Sequence, residues 1–142
     1  MNWFFDHLPL WLRIGAAGQF AVALINLNIP RLLKWEQSLA ALPLLMREVF
    51  RVHVWFITIT LCIFATVTWR FAGEMTVNPA CRWLAGGIAI FWGIRTLIQL
   101  AFYSPNHWRG KARETLIHGL LLWTYGSLAV VYAAASIGKL GG

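Results

Sequence analysis

WLAGGIAIFWGIRTLIQLAFY, residues 83–103, is the segment from which the fold of this chain is most directly inferred. It is about as long as a helix must be to cross the hydrocarbon core of a bilayer, and its only charged side chain is Arg95. A guanidinium near the centre of such a helix is costly unless it faces a protein interior, a water-filled cavity or an anionic partner. The stretch therefore predicts a membrane-spanning helix with a polar site at Arg95.

Three other stretches have the same apolar character, and the composition agrees with them. Apolar residues make up 59% of the 142 residues and charged residues 12%, against about 45–50% and about 25% in a soluble domain. The charged residues lie almost entirely at the ends of the stretches, so a soluble helical bundle with polar outer faces is not expected. The predicted fold is an all-α four-helix transmembrane bundle, a single domain over residues 1–142, with spans at about 14–33, 49–71, 83–103 and 115–138.

The distribution of lysine and arginine predicts the orientation of a multi-pass integral membrane protein. The loop between the first two spans holds Lys34 and Arg47, and the loop between the last two holds Arg109, Lys111 and Arg113. By the positive-inside rule these two loops are cytoplasmic and both termini lie on the non-cytoplasmic side.

The net charge of +7 fits the same interpretation. The basic residues gather at the ends of the spans and are not spread over one soluble face, as a nucleic-acid footprint would be. Membrane lipids are therefore expected partners, other membrane subunits are an open alternative, and nucleic acid is not an expected partner.

The first cytoplasmic loop carries a pattern of its own. Trp35, Leu39, Leu42 and Met46 recur at near-helical spacing among polar residues. This predicts a short amphipathic helix in the membrane interface, bent or interrupted at Pro43. Docking of a partner protein on this helix is the alternative.

Each span carries a stripe of polar or small residues, at three- and four-residue spacing in the first three spans and at seven-residue spacing in the fourth, and we expect these stripes to face inward. A further row in the third span, Ala85, Ala89 and Gly93, is typical of close helix approach. The stripes are Ala16, Gln19, Ala23, Asn26 and Pro30 in the first span, Glu48, Arg51, Trp55, Thr58, Cys62, Ala65 and Trp69 in the second, Trp92, Arg95 and Gln99 in the third, and His118, Tyr125 and Tyr132 in the fourth.

The polar members of the stripes are concentrated toward the cytoplasmic half, which predicts a polar pocket there. In one interpretation Arg95 holds an anionic ligand group, and in the other these side chains form hydrogen bonds between helices. The candidate ligand-binding residues are Arg95, Gln99, Asn26, Glu48, Arg51 and Tyr125.

His53 and His118 are the candidate metal ligands. They are expected at a similar depth below the cytoplasmic surface on different spans, which is the arrangement that a bis-histidine b-type haem requires. His53 lies about 140° around its helix from Glu48, so an inward Glu48 would turn His53 toward lipid or a neighbouring subunit. Haem is therefore one hypothesis, and the more ordinary role of both histidines is interfacial hydrogen bonding.

Three functional classes remain open. The favoured one is an accessory or scaffold subunit of a membrane complex; the others are a binder or enzyme of a lipid- or isoprenoid-type ligand, and a haem- or quinone-linked redox subunit. The sequence contains no HExxH, GxSxG or CxxC motif and no phosphate-binding glycine loop. It does not decide whether the chain is an enzyme.

Overall fold

The fold, seen in a computed structural model that describes residues 2–102 and 110–138, is all-α, as predicted. No strand occurs in these two ranges. The helices are α1 (Asn2–Asp6), α2 (Leu8–Leu32), α3 (Glu36–Ala40), α4 (Leu44–Phe71), α5 (Glu74–Val77), α6 (Pro79–Ala101) and α7 (Ala112–Ile137).

The four helices α2, α4, α6 and α7 are long and apolar enough to cross a membrane, which confirms the four predicted spans. The chain is therefore a small polytopic membrane protein in contact with lipid. Tyr103, the predicted end of the third span, and Arg109 of the second basic loop lie outside the described residues.

Each long helix begins before its predicted apolar span. At α6 the earlier start is explained by a capping group. At α6 the side-chain oxygen of Asn78 accepts a hydrogen bond from the backbone N–H of Ala80 at 2.9 Å. Pro79 occupies the first helical position, where its missing N–H costs nothing. The helix therefore starts at Pro79, four residues ahead of the predicted Trp83.

The chain divides into two compact units, Met1–Gly15 with Phe71–Gly142, and Ala16–Arg70. We call the first the α6–α7 unit and the second the α2–α4 unit, after the helices that dominate each. The single-domain interpretation stays a prediction.

In the α6–α7 unit, the two long helices run antiparallel and bury the faces expected of the third and fourth spans. A Cβ on Gly86 would lie 3.5 Å from Cβ of Ser136, so the helices approach closely there. A Cβ on Gly93 would meet no described atom within 4 Å, so the predicted small-residue row is wrong at Gly93. The buried residues are Ala85, Ile88, Trp92 and Gln99 on α6, and Tyr125, Leu128, Tyr132 and Ala135 on α7.

In the α2–α4 unit, Ala16, Gln19 and Ala23 of α2 are buried, which confirms the expected stripe of the first span. The stripe of α4 is right at Thr58 and Ala65. It is wrong at four positions. The prediction followed polar and aromatic residues, but the buried face of α4 consists of Thr58 and Ala65 together with Leu61 and Thr68. The four positions, all exposed, are Glu48, Arg51, Trp55 and Trp69.

The short helix expected in the first cytoplasmic loop is present as α3, but it is shorter than the pattern indicated. It ends at Ala40, before Pro43, and Met46 belongs to α4. Trp35, just before α3, contacts the ring of Phe50 edge-on, with 6.0 Å between the ring centroids. The position of α3 in the membrane interface stays a prediction.

Candidate functional site at Arg95

The centre of the site is a row of three side chains on one face of α6. Trp92, Arg95 and Gln99 are three and four residues apart, so the 3.6-residue period places them on one side of the helix. NH1 of Arg95 donates a hydrogen bond to Oε1 of Gln99 at 3.2 Å. This pair is set by the local spacing alone.

Helix α7 adds two aromatic side chains to this row, Tyr125 and His118. The guanidinium carbon of Arg95 lies 4.7 Å from the centroid of the Tyr125 ring. The same ring stacks on Trp92, with 5.3 Å between centroids and 24° between planes. The cation is therefore held on an aromatic surface contributed by both helices, an attraction that strengthens where water is excluded.

A hydrogen bond continues the row from Gln99 to His118, whose Nδ1 lies 2.8 Å from Nε2 of Gln99. A guanidinium only donates, so Arg95 requires the amide oxygen of Gln99 on its side. The amide nitrogen must then face His118, and because that nitrogen only donates, Nδ1 must accept. The Arg95 contact thus favours the tautomer of His118 with its proton on Nε2.

Burial differs along the row. Gln99 and Tyr125 are only 5% and 6% exposed, whereas Arg95 and His118 are half-buried. A buried amide without hydrogen bonds would be costly, and Gln99 avoids this cost because both ends of its amide have partners. Gln99 therefore links Arg95 to His118 through the two ends of its amide.

The structure brings together Arg95, Gln99, Tyr125 and His118 among the predicted site residues. Asn26 lies in the α2–α4 unit, where its side-chain nitrogen donates to the carbonyl of Val54 at 3.1 Å and to Oγ1 of Thr58 at 3.0 Å. The Asn26 amide thus joins α2 to α4.

The remaining predicted residues are on α4. Glu48, Arg51 and His53 are all exposed and lie within the α2–α4 unit. Their roles in ligand or haem binding stay predictions.

The hydrogen bond of His118 bears on the haem hypothesis. Haem iron takes an unprotonated ring nitrogen, and with Nδ1 accepting from Gln99 the proton of His118 sits on Nε2. The role of His118 as a haem ligand stays a prediction. Within residues 2–102 and 110–138, no three His, Cys, Asp or Glu side chains are grouped as a metal site.

Arg82 is a structural residue that the sequence analysis did not single out. Its Nε donates to the backbone carbonyl of Ser136 at 3.0 Å, and its NH2 donates to the carbonyl of Ile137. Its position in the sequence could have indicated this role. In an antiparallel pair, the first turn of one helix lies beside the last turn of the other, where the helix dipole is negative and attracts a cation.

No family model, no curated protein and no solved structure matches this chain.

Proposed function

We propose that this protein is a non-catalytic accessory or scaffold subunit of a membrane complex, with α6 and α7 as a preformed docking hairpin. The observation that carries the proposal is the engagement of Arg95 by Gln99 and Tyr125. An intramembrane arginine whose partners come from two packed helices serves to hold those helices together.

The hairpin is held at both ends, which supports a preformed surface. Arg82 binds the last carbonyls of α7 at one end, and Gln99 binds His118 near the other. Preorganisation of this kind lowers the ordering cost of association.

Helix α7 also offers room for another helix. Cβ atoms built on Gly119 and Gly126, seven residues apart, meet no described atom within 4 Å. Seven residues are close to two helical turns, so both glycines lie on one line of the helix. Small residues on one line allow a partner helix to approach closely.

The test is native mass spectrometry of the protein extracted in a mild detergent. We expect a second polypeptide at fixed stoichiometry, and we expect Gly126→Leu to reduce its retention at least tenfold while leaving the melting temperature of the isolated chain unchanged. Gly18→Leu is the matched control, because a Cβ at Gly18 of α2 also meets no described atom. If the chain is extracted without any second polypeptide even after intact cells have been treated with a crosslinker, the proposal is contradicted.

A second candidate function is the binding of an anionic amphipathic ligand, favoured by one observation. Arg95 contacts Gln99 and Tyr125, but these contacts leave it only half-buried within a candidate membrane span. A phosphate or carboxylate headgroup complements such a cation.

Lipid mass spectrometry on the purified protein separates the two functions. Ligand binding predicts a stoichiometric anionic lipid that Arg95→Gln loses and Arg95→Lys keeps in part. A lipid content that is identical in all three proteins would exclude this second candidate.

A further inference from the structure

The end of α2 carries a cavity with a volume of about 280 Å³, which belongs wholly to the α2–α4 unit. Its lining residues are Arg31, Lys34, Glu36 and Gln37. We propose that this cavity binds the headgroup of an anionic phospholipid, and that Arg31 and Lys34 are the groups that hold the phosphate.

The cavity lies at the depth of a lipid headgroup. Helix α2 ends at Leu32 and α4 begins at Leu44, and both helices are candidate membrane spans, so the connection between them is at a membrane surface. Leu32 and Leu33, which come just before Lys34, are exposed. Exposed apolar side chains beside two cations match a molecule that has both an anionic head and apolar chains, whereas inorganic phosphate has only the first.

The backbone at Lys34 is strained in a way that glycine would relieve. Lys34 has φ 52°, in the left-handed region. Its N–H donates to the carbonyl of Arg31 at 3.2 Å, and the N–H of Trp35 donates to the carbonyl of Pro30 at 2.9 Å. This is the Schellman ending of a helix, in which glycine is the usual left-handed residue because it has no Cβ. A strained residue of this kind is typical of a functional position.

The charges of the lining residues favour an anion. Two cations, Arg31 and Lys34, outweigh the one carboxylate, Glu36. A guanidinium presents two parallel N–H groups to a phosphate, and an ammonium adds a further donor. Arg31 and Lys34 also lie at the negative end of the α2 dipole, which attracts cations without any ligand. The experiment therefore has to separate lipid binding from helix capping.

A third cation, Arg47, lies close to the cavity in the first turn of α4. Trp35, which follows Lys34, contacts the ring of Phe50, and Phe50 is about one turn after Arg47. Nε of Arg47 is buried, and no residue within 2–102 and 110–138 accepts a hydrogen bond from it. Buried donors are rarely left without an acceptor, and a phosphate oxygen is a strong acceptor for a guanidinium.

The test is a lipid titration of the purified full chain in a mild detergent, followed by native mass spectrometry. Phosphatidylglycerol is the anionic probe, phosphatidylcholine is the zwitterionic probe, and inorganic phosphate is the competitor. We expect phosphatidylglycerol to bind at least about tenfold more tightly than phosphatidylcholine, because two cations contribute to the difference. Equal binding of the two lipids, or displacement of phosphatidylglycerol by inorganic phosphate at an equal concentration, would overturn the proposal.

Lys34→Gly separates lipid binding from helix capping. Glycine relieves the left-handed strain, so the melting temperature should be equal to or above that of the wild type, which also shows that the variant is folded. The ammonium is lost, so phosphatidylglycerol should bind about fivefold more weakly. If Lys34 serves only to end the helix, lipid binding stays at the wild-type level, and this result would contradict the proposal.

Two further changes at the cavity should act in opposite directions. Arg31→Gln removes a cation and should weaken phosphatidylglycerol binding about fivefold, whereas Glu36→Gln removes the carboxylate and should strengthen it. Lys111→Gln is the matched control, because it removes the charge of an exposed lysine in the second basic loop, and it should bind the lipid as the wild type does. Equal affinities of the Arg31→Gln and Glu36→Gln proteins would show that the lipid is not held at this cavity.

Discussion

Arg82, in the first turn of α6, donates a hydrogen bond to the backbone carbonyl of Ser136 in the last turn of α7, at 3.0 Å. The last carbonyls of a helix have no partner within the helix and carry the negative end of its dipole. A half-buried guanidinium at this point supplies both hydrogen bonds and opposite charge. One side chain thus closes one end of the hairpin.

Arg82→Ala should lower the stability of the protein, because it leaves two helix-terminal carbonyls without this donor. We expect a loss of about 1.5–3 kcal/mol, the usual range for hydrogen bonds to charged groups, with a smaller loss for Arg82→Lys. The measurement is thermal unfolding in detergent. Arg13→Ala, a change at an exposed arginine, is the control, and equal melting temperatures for the two alanine variants would contradict the role given to Arg82.

Gly138→Ala should be destabilising for two reasons. The residue has φ 69° and ψ −174°, a region that is essentially restricted to glycine. A Cβ there would also lie 2.8 Å from the guanidinium carbon of Arg82. The expected cost is about 1–3 kcal/mol in the same unfolding measurement.

The control for this change is Gly18→Ala. Gly18 is inside α2 and its Cβ would meet no described atom, so we expect a neutral or slightly stabilising effect from helix propensity. In the double variant Arg82→Ala, Gly138→Ala the Cβ at position 138 no longer meets a guanidinium. The loss of stability in the double variant should therefore be smaller than the sum of the losses in the two single variants. Strict additivity would mean that the two residues do not interact.

Asn26→Leu should weaken the α2–α4 unit, because the Asn26 amide is hydrogen-bonded to both Val54 and Thr58 across the two helices. Hydrogen bonds between helices in membranes contribute about 0.6 kcal/mol on average and up to about 2 kcal/mol. Asn28→Leu is the matched control, since Asn28 donates to Leu24 of its own helix at 2.8 Å. The stabilities are compared by unfolding in detergent, and an equal loss in both variants would argue against the interhelical role of Asn26.

Cysteines placed singly at Asn78 and Asn106 should label from opposite sides of the membrane. Asn106 belongs to the second basic loop, which the positive-inside rule places in the cytoplasm, and Asn78 belongs to the connection between the second and third spans, which the rule places outside. The background lacks Cys62 and Cys81, and labelling uses a membrane-impermeant maleimide on intact and on opened cells. The cysteine at position 78 should react in intact cells. The cysteine at position 106, which lies outside the described residues, should react only after the cells have been opened. Labelling of both in intact cells would contradict the predicted orientation.

The prediction from sequence was accurate where it depended on neighbours along one helix. The apolar lengths predicted the four long helices, and the spacing of Trp92, Arg95 and Gln99 predicted their shared face. It failed on the face of α4, where Glu48 and Arg51 are exposed. Polar residues near the end of a membrane helix have water and headgroups as an alternative to a protein partner, so their spacing alone does not show which way they face.

The all-α class, the four candidate spans and the costly cation at Arg95 could be inferred without a structure, because each of these is a property of apolar length and charge along a single helix. The contacts of Gln99 with His118, 19 residues away, and of Arg82 with Ser136, 54 residues away, could be seen only in three dimensions. These contacts depend on how each helix is rotated about its own axis, and that rotation is set by packing against a neighbouring helix, through side chains that are distant in sequence.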